Sequence, residues 1–370
     1  MRTTISFILK KSLLSLALIF ILALTACDSG PSNGSQGSGS ISINTIGEEG
    51  PVAAASILSV GRNAHEYILS SSLHPYEVAL RTYVSLPDDS SLFETAGSFP
   101  VFFLYHGSGG LFKEPSNLGE DCTQELESNY QEMMTFLNNQ GIAVVAIDSF
   151  GSRDSRFCED NSDFVSFAPP EMDSNLNQVV SRLMDTVVAE KSFCALASLD
   201  CSRMARIGTS EGGTAVLVAS HRYLEAAWNQ LFDAEDPDNE LEILTHVAYQ
   251  ALPDNRPTPL FVFAIAPGCG FYGFLPFGVE GEDIENLFYS QSLISIHAGT
   301  ADSIPAHCAV ELGEGTRQRQ AEEVQSREGI AEANFTYQYT LYADAPHDLW
   351  GSHQSELEAA LTSLIGLYFP

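Results

Sequence analysis

An α/β fold, with a mainly parallel central sheet covered by helices on both faces, follows from three observations. Short apolar runs recur at 100–105, 142–147, 204–207, 260–266 and 292–297. They are mostly continuous rather than alternating, as expected of strands buried on both faces. Segments with helical spacing lie between several of them, and strands alternating with helices imply crossovers and parallel pairing.

The chain has 370 residues, of which 44% are hydrophobic and 10% aromatic, ample for one large core. Its net charge of -31 argues against nucleic acid or an anionic membrane surface as a partner. The acidic residues are scattered rather than gathered into a tail, which reads as a solvated, self-repelling surface.

The first residues read as an address. Arg2, Lys10 and Lys11 form a basic start, and the apolar stretch 12–24 is too short to span a bilayer comfortably. Leu24-Thr25-Ala26-Cys27 resembles the lipobox of bacterial lipoproteins. That resemblance implies a signal peptide over 1–26, a lipidated Cys27, and a place in the bacterial cell envelope facing the periplasm or the exterior. The alternative is a plain secretory signal. Residues 29–40 are Gly, Ser, Pro, Asn and Gln, a flexible tether, so 27–50 is expected to be linker. A single α/β domain is expected over 51–370.

Within it, 76–86 alternates, with Val78, Leu80, Thr82, Val84 and Leu86 on one face, and predicts a strand with one wet side. The run 100–105 predicts a central strand that leads into His106-Gly107-Ser108-Gly109-Gly110. Leu126, Tyr130, Met133, Met134 and Leu137 predict a helix that Gly141 breaks, and 142–147 predicts a strand ending at Asp148. Leu176, Val179, Val180, Leu183, Met184, Val187 and Val188 follow i, i+3, i+4, i+7, the clearest amphipathic helix in the chain. A strand over 204–207 and a helix over 214–223 flank Gly208-Thr209-Ser210-Glu211-Gly212-Gly213. The polar, acidic stretch 225–257 reads as an insertion. Strands are then expected at 260–266, 292–297 and 335–342. The last helix carries Leu357, Leu361, Leu364, Ile365 and Tyr368 on one stripe.

Strand, G-x-S-x-G and helix are the context of a nucleophile elbow, in which a sharp turn exposes the serine hydroxyl above the sheet. A serine becomes a nucleophile when a base takes its proton and an acid orients that base. In this architecture the chain order is Ser, acid, His. Asp302, in Gly299-Thr300-Ala301-Asp302, follows the strand at 292–297; His347 follows the final strand. Ser210, Asp302 and His347 are therefore the candidate catalytic residues. The oxyanion that forms on attack needs two preorganised donors. The backbone N–H of Glu211 is one candidate, and Ser108 or Gly109 supplies the other. His106 reads as a structural loop histidine rather than a second base.

Across roughly 100–370 the chain resembles the dienelactone-hydrolase-like branch of the α/β-hydrolases. His-Gly-Ser-Gly-Gly at 106–110 matches that family's oxyanion loop. Asp148-Ser149-Phe150-Gly151-Ser152-Arg153, followed by Cys158, resembles its D-S-F-x-x-R segment. The resemblance implies the α/β-hydrolase fold and a serine esterase that acts on a small-molecule carboxylic ester without a cofactor. Three features depart from the family: a serine nucleophile where the founding enzymes use cysteine, a loop after Asp302 one residue shorter, and Glu211 in place of the Arg or Gln often found there. A carboxylate at 211 either disfavours acidic substrates at the mouth or is simply exposed. The competing class is a catalytically silent surface lipoprotein that keeps the fold for binding. A metal-dependent hydrolase finds little support, because His297 and His307 lack H-x-x-x-H or H-E-x-x-H spacing.

Export favours disulfides among the six cysteines other than Cys27. Cys269 and Cys308 follow adjacent predicted strand ends, and the family often has cysteines at both places. Cys194 and Cys201 bracket a short connection, and Cys122 and Cys158 remain. Phe271, Tyr272, Phe274 and Phe277 sit among glycine and proline just past the strand at 260–266. They either wall an apolar substrate pocket beside Ser210 or plug the core beneath the acidic insertion.

Overall fold

The architecture is set by nine strands in one sheet and four helices, all within the described part of the chain. The computed structural model describes residues 52–53, 64–71, 78–90, 92–112 apart from 94 and 96, 126–149, 174–220, 258–267, 292–302 and 337–369. In chain order the elements are β1 (Val52–Ala53), β2 (Ala64–Ser71), β3 (Val78–Ser85), β4 (Phe99–Tyr105), α1 (Ser128–Asn139), β5 (Ala143–Asp148) and α2 (Ser174–Phe193). They continue with β6 (Leu199–Thr209), α3 (Glu211–Ala219), β7 (Phe261–Ile265), β8 (Leu293–Gly299), β9 (Tyr337–Tyr342) and α4 (Leu349–Tyr368).

The sheet order is β1-β2-β3-β5-β4-β6-β7-β8-β9. Every pairing from β5 through β4 to β9 is parallel, while β1, β2 and β3 join as an antiparallel edge. This is the α/β-hydrolase fold, with the two-residue β1 added at its antiparallel edge.

The parallel strands are covered on both faces because their side chains alternate between two cores. Val101, Phe103 and Tyr105 of β4 join one cluster with Leu183, Val188 and Phe193 of α2 and Val216 to Ala219 of α3. Phe102 and Leu104 join the other, with Met133 and Leu137 of α1 and Leu357 and Leu361 of α4. The apolar stripe expected on the last helix is thus its buried face, although the helix begins earlier, at Leu349, where Asp348 accepts from Gly351 N–H.

Three expectations need correction. The wet side of β3 is covered: Tyr83 is fully buried, its ring 4.9 Å from that of Phe112. Ser85 is buried too and bonds Asn138 of α1. Alternation reports the chemistry of a face, not what packs onto it. Secondly, β2 carries no strand signal in the sequence, because His65, Glu66 and the serines dilute its pattern; pairing with β3 along its whole length makes it a strand. Thirdly, β6 starts well before residue 204. Its register against β4 jumps between Pro100 and Val101, leaving Cys201, Ser202 and Arg203 unpaired there, and the Cys194–Cys201 disulfide ties the end of α2 to this irregularity.

Charge is buried beside β6. Arg206 donates Nε to Glu190 Oε1 at 2.5 Å and Nη2 to Oε2 at 2.7 Å, and its Nη1 reaches Ala219 O and Ser220 Oγ. Both side chains are almost fully buried. Removing one partner of such a pair costs about 3–5 kcal/mol, since the other charge is left uncompensated. The bidentate pair therefore holds α2, β6 and the end of α3 together.

His297 of β8 is also buried, stacked on Phe263 with ring centroids 4.2 Å apart. Its two nitrogens lie 2.9 Å from Ser295 Oγ and from Tyr342 Oη. Burial pushes its pKa down to about 3. The folded protein keeps this ring neutral where the unfolded chain, with an ordinary pKa near ~6.5, takes up a proton. The resulting stability is complete above that value and is lost as pH falls toward 3. Between pH ~6.5 and ~5, His297 should account for roughly 2 kcal/mol of lost unfolding free energy. Urea titrations at the two pH values should show a smaller loss in His297→Gln; equal losses in both proteins would contradict this.

Candidate active site

The parallel register brings the C-terminal ends of β4, β6, β7, β8 and β9 to one edge: Tyr105 pairs with Gly208, Thr209 with Ile265, Ile265 with His297, and Gly299 with Tyr342. Loops past the carboxyl ends of parallel strands are where open α/β sheets place ligands. Ser210 occupies the turn from β6 into α3 with φ 52° and ψ -121°, on the side of the backbone map that non-glycine residues avoid. Such a conformation costs on the order of 1–3 kcal/mol. It is held by Ser210 N–H donating to Ile265 O at 2.8 Å and Thr214 N–H donating to Ser210 O at 3.0 Å. A Cβ at Gly208 would collide with the Gly212 carbonyl, and one at Gly212 with the carbonyls of Tyr105 and His106.

The loops after β8 and β9 are stitched to each other. Thr300 N–H donates to Tyr342 O at 3.0 Å, Ala301 N–H to Ala345 O at 3.1 Å, and Asp344 N–H to Thr300 Oγ1 at 2.8 Å. Asp302 and His347 consequently face each other, with Oδ2 2.5 Å from Nδ1, and His347 Nε2 lies 2.8 Å from Ser210 Oγ. An ionised carboxylate only accepts, so Nδ1 carries its proton toward Asp302 and Nε2 is left to accept from the serine hydroxyl. The Asp302 carboxylate is 2% exposed and the His347 ring 38%, so the acid is shielded while the base is open to an incoming group. Asp344 is exposed. Asp348 caps α4. Among the described residues, Asp302 is the acid that completes the chain to Ser210.

The loop after β4 lies against the serine: a Cβ at Gly107 would sit 3.2 Å from that of Ser210. Gly107 N–H donates to Tyr130 Oη at 2.8 Å, that phenol contacts Thr209 Oγ1 at 3.1 Å, and Gly110 N–H returns to Gly107 O at 3.1 Å. With those two amides engaged, the amides of Ser108 and Gly109, both exposed residues, have no acceptor among the described residues. Glu211 opens α3, so its N–H has no intrahelical acceptor. Of the three candidate donors, Glu211 adjoins Ser210 in sequence, and Ser108 and Gly109 follow Gly107, the residue that packs against it.

Glu211 itself departs from both readings of its side chain. It is buried, with Oε1 3.2 Å from Arg182 Nε, and neither lines the mouth nor meets solvent. His106 is buried as a loop histidine, with Nδ1 2.7 Å from Gly107 O. Tyr130 and Arg182 had no place in the sequence-based site. Tyr130 counts there as one apolar position on a helix face. Arg182, Thr186 and Glu190 repeat at i, i+4, i+8, which periodicity assigns to a wet face, yet all three are buried. Cys27, Cys269, Cys308, the aromatics Phe271, Tyr272, Phe274 and Phe277, and the acidic stretch 225–257 lie outside the described residues. Among the described residues no group of His, Cys, Asp and Glu is arranged to hold a metal ion.

The elbow glycines give a sharp stability test. Gly212→Ala forces a Cβ into rigid backbone and should lower stability by more than about 3 kcal/mol, above ordinary overpacking. At Gly109 an added Cβ meets nothing within 4 Å, so Gly109→Ala should leave the melting temperature nearly unchanged. Equal melting temperatures for the two variants would contradict the close approach at Gly212.

No family profile and no curated protein matches this sequence. Solved structures do. Est1E from Butyrivibrio proteoclasticus, with ferulic acid bound, is 12% identical, with 79% of this chain and 96% of that chain covered and a TM-score of 0.44. Esterase 2 of Thermogutta terrifontis, phosphorylated by paraoxon, is 15% identical over 79% and 90%, with a TM-score of 0.43. A Klebsiella pneumoniae protein provisionally described as a dienelactone hydrolase is 11% identical over 81% and 96%, with a TM-score of 0.42. At this distance the likenesses carry no inference about activity, and the fold assignment stands on the strand order and pairing described above.

Proposed function

We propose that the protein is a serine hydrolase that cleaves carboxylic esters through an acyl-enzyme. The observation that carries this reading is the continuous contact from Asp302 Oδ2 through His347 to Ser210 Oγ, on a serine held at positive φ. A binding module has no need of that arrangement together with open amides beside the same hydroxyl.

In the proposed reaction Ser210 Oγ attacks the ester carbonyl carbon while His347 Nε2 takes its proton. The carbonyl π pair moves onto oxygen, and the N–H groups of Glu211 and of Ser108 or Gly109 receive the charge. Collapse re-forms the C=O bond and breaks the C–O bond to the alcohol, which leaves with the proton from Nε2. A water that gives its proton to His347 then attacks the acyl-serine. The second collapse frees the carboxylic acid and returns the proton to Ser210. Asp302 stays ionised throughout and holds Nδ1–H in place.

Hydrolysis of p-nitrophenyl esters of graded chain length is the test. Ser210→Ala or His347→Ala should lower kcat by roughly a thousandfold or more, because the group acts as a unit. Asp302→Asn should be severely impaired through the wrong imidazole tautomer, and Asp344→Asn should retain near-normal activity. Ser210→Ala with undiminished turnover would end the hydrolase reading, and an active Asp302→Asn beside an inactive Asp344→Asn would reassign the acid.

The same proposal places the enzyme in the bacterial cell envelope, anchored through acylated Cys27 by the flexible stretch behind it, with the catalytic domain outside the cytoplasm. Leu24-Thr25-Ala26-Cys27 and the basic start support this. Mass spectrometry of the mature N-terminus should find an acylated Cys27; a retained Met1 or an unmodified start elsewhere would refute it.

A further inference from the structure

Arg182 of α2 is buried, 2% exposed, and its guanidinium reaches both walls of the site. Nη1 donates to His106 O at 2.6 Å and Nη2 to Gly107 O at 3.3 Å. On its other edge Nε lies 3.2 Å from Glu211 Oε1. Two of these contacts, those at the Gly107 carbonyl and at Glu211, bear on a candidate oxyanion donor. Glu211 follows the nucleophile and offers its own N–H. The Gly107 carbonyl shares a peptide unit with the Ser108 N–H. All peptide bonds among the described residues are trans, so that carbonyl and amide point in opposite directions from one plane. Aiming the carbonyl at the guanidinium, together with its contacts to His106 Nδ1 at 2.7 Å and Gly110 N–H at 3.1 Å, therefore sets the direction of the Ser108 N–H.

We propose that Arg182, neutralised by Glu211, is a positioning residue for the oxyanion hole, fixing the Ser108 and Glu211 amides at one separation and orientation. The proposal rests on the serine-hydrolase reading above. An apolar side chain fills such a site without the desolvation penalty of a buried ion pair. What it lacks is a rigid planar fork that donates to two successive carbonyls of the loop after β4 while its Nε faces the Glu211 carboxylate. A lysine keeps the charge and loses the fork. Tyr130 holds the preceding peptide group, at Gly107 N–H, so the loss of Arg182 should turn the loop without releasing it.

The test compares Arg182→Lys and the doubly neutral Arg182→Met/Glu211→Leu with the wild-type chain. Three readouts are taken: ester hydrolysis, inhibition by an aryl trifluoromethyl ketone, and inhibition by the carboxylic acid product. The ketone forms a hemiketal oxyanion on the serine, whereas the product does not. Arg182→Lys should lower kcat about tenfold to a hundredfold, below the loss of a whole donor, with KM within about twofold. Affinity for the ketone should fall by the same factor and affinity for the product should hold. A folded variant with unchanged kcat overturns the proposal. So does one in which ketone and product affinities fall together, as general loosening would produce. Should the double variant fail to fold, Arg182→Lys decides alone. Fluorophosphonate labelling of Ser210 in the wild-type chain separates the two levels: absence of labelling defeats the hydrolase reading and this proposal with it, while labelling beside an unaffected Arg182→Lys defeats only this one.

Discussion

The site depends on one backbone contact: Gly212, in the first turn of α3, lies directly against the Tyr105 and His106 carbonyls at the end of β4. No side chain fits between them. The contact presses the elbow onto the loop that follows β4, so the serine and the amides facing it are held by backbone packing. The positive φ of Ser210 is the local consequence, since the chain must leave β6 and enter α3 within one residue. Its cost is met by the hydrogen bond to Ile265 O and by the fully buried helix that follows.

Around that contact the interior carries more polar chemistry than the apolar runs suggest. Arg206 and Glu190 form a bidentate pair beside β6, Tyr130 bridges Gly107 and Thr209, and Arg182 joins the loop after β4 to Glu211. Buried ions are weak evidence for net stability, because desolvation offsets much of the attraction. Their directional bonds constrain geometry. In this molecule Tyr130 and Arg182 act at the Ser210 end of α3, and Arg206 at its far end, on Ala219 and Ser220.

Asp302 and His347 arrive by a different route. They sit on loops after neighbouring parallel strands, and the main-chain bonds between residues 300–301 and 342–345 make those loops one unit. Glycine at 299 permits this, because a Cβ there would strike the Ala345 carbonyl. The two strands bring the residues to the same edge; the stitched loops turn them toward each other.

Much of this was legible in the linear chain. Ser210, Asp302 and His347 stand out because a short motif, the order of the residues and their places after apolar runs are all local or sequential properties. The central strands and the helix stripes are legible for the same reason, since periodicity records which face meets oil and which meets water. The covered side of β3, the strand β2, the buried polar stripe of α2 and the fate of Glu211 were decided only in three dimensions. Tyr83 is dry because Phe112 lies over it, and Glu211 is buried because Arg182, from a separate element, waits behind it. Hydropathy reports whether a side chain prefers water, whereas a buried charge reports a partner distant in sequence, and that partner is fixed only when the chain has folded.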